Sequence, residues 1–280
     1  MAKKKRTGWL FILPGLMGVL VFYLIPFGDV VRRSFWHVAG DSFAGLDNYR
    51  QVLGNQAFRL AAGNTARFVL VCLPLLLILS LGFAVLLQRQ GTGRGLLKSA
   101  YLVPLAIPAA SVVLLWQIVF DQAGILNRLL SVFHLEGKDW MNSDASFWVL
   151  VFSYIWKNLG YDVILWLAGL LSIPESVYEA ARVDGAGEWK CFLYITLPNI
   201  RPVAVTIIIL SFLNSFKVFR EAYLVAGNYP QEKIYLLQHV FNNWFSDLSV
   251  DKMAAGSVLL CVVITVFVLI LQRSWREEVL

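Results

Sequence analysis

The sequence predicts an all-α, polytopic membrane protein with six transmembrane helices. Three observations carry that prediction. The chain of 280 residues is 58% hydrophobic and 15% charged, whereas a soluble domain carries about 25% charged residues. That is far more apolar surface than one soluble core can bury. Four runs, 7–28, 68–88, 99–120 and 253–272, contain no charged residue, and each reaches the roughly 20 residues that a helix rising 1.5 Å per residue needs to cross the hydrocarbon. Two further apolar runs are interrupted: 145–174 by Lys157 and Asp162, and 202–226 by Lys217, Arg220 and Glu221.

The first run follows Lys3-Lys4-Lys5-Arg6. Its length, and the lack of a small-x-small cleavage site after Phe27, predict a retained anchor rather than a signal peptide. After it, Gly45-Leu46-Asp47-Asn48-Tyr49 to Gly63 reads as a turn and a short interfacial helix. The second and third runs flank the glycine-rich stretch 91–99. In that stretch Lys98 does not follow a glycine, and no strand precedes it, so it predicts a flexible basic loop and not a phosphate-binding loop. Trp36, Trp140, Trp148 and Trp244 fall near predicted span ends, as an aromatic belt would. The single predicted domain is the transmembrane unit 1–280, with a cytoplasmic loop at 172–201 inside it and no internal repeat.

Basic residues set the orientation. The termini, 88–98 and 172–201 together carry twelve Lys and Arg, while the longer loops on the other side carry seven. Both termini and the 172–201 loop are therefore predicted to be cytoplasmic. The net charge of +6 suits anionic lipid at the inner leaflet and calls for no nucleic acid. Cys72, Cys191 and Cys261 have no C-x-x-C spacing, and His37, His134 and His239 lie far apart. They predict neither a disulfide framework nor a metal site; the histidines read as loop or interface residues. The chain also lacks H-E-x-x-H and G-x-S-x-G, so nothing predicts an intramembrane enzyme, and catalytic residues are expected to be absent.

The loop 172–201 is an amphipathic, charged island. Ser172-Ile173-Pro174-Glu175 predicts a capping box opening a helix. Val177, Ala180, Ala181 and Asp184 lie on adjoining helical faces, where the two alanines would let a partner approach closely, with Glu179 and Arg182 flanking that face. Gly185-Ala186-Gly187 breaks the helix. A second short helix, with Trp189, Phe192, Leu193 and Thr196 packed back on the spans, is predicted to end at Pro198 and Pro202.

Charges inside spans cost roughly 2.5–3.5 kcal/mol at mid-bilayer, so each is expected to face a cavity or a partner. Tyr154, Lys157, Asn158 and Tyr161 on the fourth span, and Ser211, Asn214, Ser215 and Lys217 on the fifth, form the candidate solute path. A Lys217–Glu221 pair at i,i+4 and snorkelling are equally open readings of the outer charges.

The twenty positions Glu179 to Pro198, with Glu-Ala-Ala, Asp184-Gly185-Ala186, Phe192, Ile195 and Leu197-Pro198, resemble the EAA loop of binding-protein-dependent ABC-importer permeases. Arg182-Val183-Asp184-Gly185-Ala186 is similar to the carbohydrate branch. The resemblance extends to Trp9-Leu10-Phe11-Ile12-Leu13-Pro14-Gly15, Tyr23-Leu24-Ile25-Pro26, Gly45-Leu46-Asp47-Asn48-Tyr49, Asn64-Thr65, Trp156-Lys157-Asn158-Leu159-Gly160 and Leu167-Ala168-Gly169-Leu170, which look like the maltose-permease-like subunit. The chain departs at Ala226-Gly227-Asn228-Tyr229-Pro230, where the family usually has a Thr-Gly-Gly-Gly-Pro-like turn, and at Phe219-Arg220, where Phe-Asp is common.

The resemblance implies a type I ABC importer permease fold in the bacterial cell (inner) membrane. It implies that Glu179, Ala180, Ala181, Arg182, Asp184 and Gly185 couple to an ATPase. Two ATPase subunits, a second permease subunit and an extracytoplasmic solute-binding protein are the implied partners, with ATP and Mg on the ATPase chains and no cofactor here. The implied solute is a sugar or oligosaccharide contacted from the fourth and fifth spans, where Tyr154, Asn158, Tyr161, Ser211 and Ser215 fall at matching heights. The alternative within the same architecture is another solute, such as glycerol-3-phosphate or an acidic (uronate) oligosaccharide, if Lys217 or Arg220 lines the path.

Overall fold

The computed structural model describes residues 12–37, 42–89 and 103–276. The basic N-terminus, the glycine-rich stretch 91–99 and the start of the first and third predicted spans lie outside the described residues. Helices dominate. In chain order they are α1 (Ile12–Ser34), α2 (Asp47–Gly54), α3 (Gln56–Arg89), α4 (Ala109–Phe120), α5 (Ile125–Val132), α6 (Ser146–Leu171), α7 (Glu175–Val183), α8 (Glu188–Leu224), α9 (Leu237–Ser246) and α10 (Val250–Arg276). A two-stranded antiparallel pair, Trp36–His37 with Ser42–Phe43, is the only sheet among the described residues.

Five stretches are long and apolar enough to cross a bilayer: Ile12–Ser34, Gln56–Gln88, Ala109–Val132, Glu188–Leu224 and Val250–Arg273. Counting α6, which bends by 64° into α7, gives the six that the sequence predicts. The boundaries differ from the apolar runs. α3 begins twelve residues before Phe68, because helix geometry continues past the hydrocarbon wherever polar side chains can be solvated.

The fifth span differs most. No separate short helix ends at Pro198 and Pro202; α8 is one helical run through both prolines. A π-turn at Phe192–Thr196 makes this possible. There Leu197 N–H reaches back five residues to Phe192 O, so the ladder has already slipped where Pro198 offers no N–H. α1 uses the same device: a π-turn at Leu20–Leu24, Ile25 N–H on Leu20 O, and Pro26 next. The extra residue also resets the buried face of α8, which reads Cys191, Thr196, Ile200. Trp189 therefore does not pack back on the spans. It is 70% exposed and stacks on Phe192.

The chain divides into two compact units. The first is Met1–Arg59 with Val240–Val266. In it the buried Asn48 amide donates to Ser34 O and Trp36 O, and Tyr49 Oη shares a 2.7 Å hydrogen bond with Ser34 Oγ, so α2 is fastened beneath the end of α1. This gives the Asp47-Asn48-Tyr49 spelling a structural cause. Trp244 is buried and stacks on Phe58, so it is not part of an interfacial belt.

The second unit is Leu60–His239 with Phe267–Leu280. One core packs Phe68, Cys72 and Leu76 of α3 against Phe147, Leu150 and Tyr154 of α6 and against Val218 and Ala222. Another joins Ala84 and Leu87 to Trp166, Leu170, Ile200 and Ile207. Buried polar atoms are paired across helices: Trp166 Nε1 donates to Ser80 Oγ, and Trp116 Nε1 to Ser153 Oγ. Asn64 donates to Glu232 O and Tyr235 O, and Thr65 Oγ1 accepts the Leu237 N–H. His239 is a core residue, not a loop or interface one. It is fully buried between Phe219 and Tyr235, and its Nδ1 accepts the Leu236 N–H.

Candidate functional site

Two sites emerge in the second unit. The first is α7 with the turn that follows. No residue of α7 is buried, and Val183 is 88% exposed. The expected capping box does not form. The helix starts at Glu175 with Pro174 as its cap residue, so Ser172 lies too early in the register and donates back to Gly169 O instead.

The end of α7 is closed tightly. Gly185 N–H donates to Arg182 O and Ala186 N–H to Ala181 O, with Gly185 at φ +80°. This is the Schellman arrangement, with the glycine at the left-handed position. Arg182 bonds Glu188 through Nη2 at 3.1 Å and Nε at 3.3 Å, spanning the turn. Tyr178 Oη and Thr196 Oγ1 meet at 2.9 Å and fasten α7 to α8. The predicted Glu179, Ala180, Arg182, Asp184 and Gly185 are all exposed, and Ala181 is half-buried. Thr196 is buried, as its predicted packing on the spans requires, but its bond to Tyr178 and the Arg182–Glu188 bridge are not predicted by the sequence. No local period relates residues on opposite sides of a glycine turn, so only the fold reveals them.

The second site is a cavity of about 110 Å³ beside α6 and the end of α8. Five predicted path residues line it: Tyr154, Lys157, Asn158, Asn214 and Lys217. Arg220 and Glu221 complete its charged wall. Tyr161, Ser211 and Ser215 do not line it. Ser211 Oγ donates to Asp162 Oδ2 at 2.8 Å, and Ser215 Oγ donates to Phe212 O at 2.6 Å, so both hydroxyls bond within the protein.

The Lys217–Glu221 pair, one of the readings the sequence leaves open, is not formed. A 3-10 turn at Phe216–Val218 interrupts the α-helical register between the two residues. Lys157 Nζ reaches Glu221 Oε1 instead, at 2.6 Å, with side chains 21% and 7% exposed. Lys217 Nζ donates to Asn214 Oδ1 at 2.7 Å.

Comparison with known proteins agrees with this architecture. Residues 68–277 match the family described as binding-protein-dependent transport system inner membrane component. The trehalose/maltose transport system permease protein MalF of Thermococcus litoralis is 33% identical, over 81% of this chain and 79% of its own length. The arabinooligosaccharides transport system permease protein AraP of Bacillus subtilis is 31% identical, over 97% and 89%. The fold matches, with a TM-score of 0.85 and 22% identity over 99% of this chain and 96% of the other, a chain in a bacterial alginate ABC transporter in complex with alginate pentasaccharide-bound periplasmic protein. A multi-pass helical chain with an exposed, glycine-closed helix beside its spans, matched by this family's model over three quarters of its length, belongs to the binding-protein-dependent transport system inner membrane components.

Proposed function

We propose that this permease forms half of the translocation path of an ATP-driven importer for a sugar or oligosaccharide. The exposed helix α7 carries the reading. An amphipathic segment without a buried residue, held at its middle by Tyr178–Thr196 and at its C-terminal end by the Schellman turn, is a surface shaped for another chain. Ala180 and Ala181 admit close approach, while Glu179, Arg182 and Asp184 supply polar contacts around them. The partner is an ATPase subunit that binds ATP and Mg. Its closure on ATP would pull on this helix and rock the spans between inward-open and outward-open states.

The assembly would hold two ATPase subunits, a second permease and an extracytoplasmic binding protein, in the bacterial inner membrane with both termini cytoplasmic. The carbohydrate assignment is supported by the names of the trehalose/maltose and arabinooligosaccharide relatives. The 110 Å³ cavity beside α6 and α8 is the candidate stretch of the solute path.

A pull-down from detergent-solubilised membranes tests this, with wild type beside Gly185→Asp. The wild type should bring down an ATPase and a second permease. The variant, which forces a branched side chain into φ +80°, should bring down several-fold less ATPase and the same amount of permease. Equal ATPase recovery from both would remove α7 as the contact.

A further inference from the structure

The wall of the cavity is not the one a neutral sugar needs. Hydroxyls and amides are the usual sugar partners, and here most of them are already engaged within the chain. Tyr154 Oη donates to Ser211 O at 2.6 Å, and Asn158 Nδ2 donates to Tyr154 O at 2.9 Å. Ser211 serves Asp162, and Ser215 serves Phe212 O. The amides of Asn158 and Asn214 also line the cavity, each with one end engaged, and the other polar groups facing it are charged: Lys157, Lys217, Arg220 and Glu221.

Their balance is positive. Glu221 is committed to Lys157 at 2.6 Å. Lys217 bonds only a neutral amide oxygen, Asn214 Oδ1, so its charge stays uncancelled. Among the described residues no carboxylate pairs with Arg220. Asp162 does not line the cavity; one of its oxygens accepts from Ser211 and the other is buried without a partner. Lys217 and Arg220 are both exposed, and they face one cleft, whose concave shape focuses their field more than a flat surface would. An arginine fork beside an ammonium suits a carboxylate or phosphate.

We infer that the cavity lined by Lys217 and Arg220 receives an anionic group of the solute, so that the imported carbohydrate bears a carboxylate or a phosphate. This rests on the reading that the cavity lies on the solute path. Lys157 then has a different part: with Glu221 it forms a neutral pair that fixes the wall without adding charge.

The test is uptake by cells carrying the complete importer with its binding protein. The labelled probes are maltotriose, trigalacturonate and sn-glycerol-3-phosphate. The wild type should carry one acidic probe at least 10-fold faster than maltotriose, and which one decides between carboxylate and phosphate. Lys217→Gln with Arg220→Gln should cut that uptake 10-fold or more. Lys217→Arg with Arg220→Lys, which keeps both charges, should retain at least half of it. Maltotriose carried as well as the acidic probes overturns the anion assignment and leaves the importer reading standing. So does acidic uptake that the glutamine pair lowers no more than the charge-keeping pair does.

Discussion

Removing one member of the Lys157–Glu221 pair should harm the protein far more than removing both. The two side chains meet at 2.6 Å and are 21% and 7% exposed. At an effective dielectric near 20 the gross attraction at that distance is about 6 kcal/mol. Desolvation takes back most of it, so the net value of the pair against well-packed neutral side chains is near zero. Breaking it leaves an uncompensated charge, at a cost of about 3–5 kcal/mol. The two singles should not be equal. Lys157→Met strands the carboxylate, which is 7% exposed, whereas Glu221→Gln strands an ammonium that is 21% exposed. Lys157→Met should therefore be the worse of the two, and Lys157→Met with Glu221→Gln should recover most of the loss. The assay is the midpoint temperature for heat-induced loss of the monodisperse peak of the detergent-purified complex, for wild type, both singles and the double. A double variant no more stable than the worse single, or effects that simply add, would refute the reasoning, because a coupled pair must show non-additivity.

Gly169 of α6 faces Val203 of α8 so closely that an added Cβ would lie 2.9 Å from Val203 Cγ2. Gly169→Ala should cost about 1–3 kcal/mol by overpacking, and Val203→Ala should restore part of it in the same heat-stability assay. Burial lowers the pKa of His239 to about 4, from an ordinary value of 6.5. The unfolded chain therefore binds the proton first, and stability should fall as pH drops from about 6.5 towards 4, by about 3 kcal/mol at the end of that window. Unfolding midpoints at pH 7.5, 6 and 5 should converge for His239→Gln; an unchanged slope in that variant would assign the pH dependence to another group.

The six spans were legible because length and apolarity alone decide what can cross a bilayer, and 58% hydrophobic residues leave few other solutions. The exposed helix at Glu175–Val183 was legible too, since its apolar and charged positions follow one period and a glycine ends it. Two of the departures share one physical cause: local spacing assumes a fixed helical register. The π-turn before Pro198 turns a step of four into a step of five, which exposes Trp189 and keeps α8 continuous through two prolines. The 3-10 turn at Phe216–Val218 undoes the i,i+4 relation of Lys217 and Glu221, and Glu221 finds a partner 64 positions away in the chain. No window along the sequence contains that pairing. The burial of His239 was equally hidden, because a lone histidine outside an apolar run gives no sign of the Phe219 and Tyr235 rings that enclose it.

The polar stripe of the fourth and fifth spans shows how side-chain length sorts residues that a sequence treats alike. Short polar side chains in a membrane helix can bond to a carbonyl one turn back, and in hydrocarbon that bond is hard to replace. Asn158 does this with Tyr154 O, Ser215 with Phe212 O and Ser172 with Gly169 O. Such residues are polar in composition and spent in structure. Lysine and arginine carry their charge at the far end of a long flexible stem, beyond the ladder. Each must find a carboxylate, as Lys157 does, or project into whatever wet space the helices leave, as Lys217 and Arg220 do. A cavity between membrane helices is therefore lined preferentially by long charged groups even when short polar ones outnumber them in the surrounding spans. If the cavity lies on the solute path as proposed, the two cations without a carboxylate, and not the serines and asparagines beside them, carry the prediction about the solute.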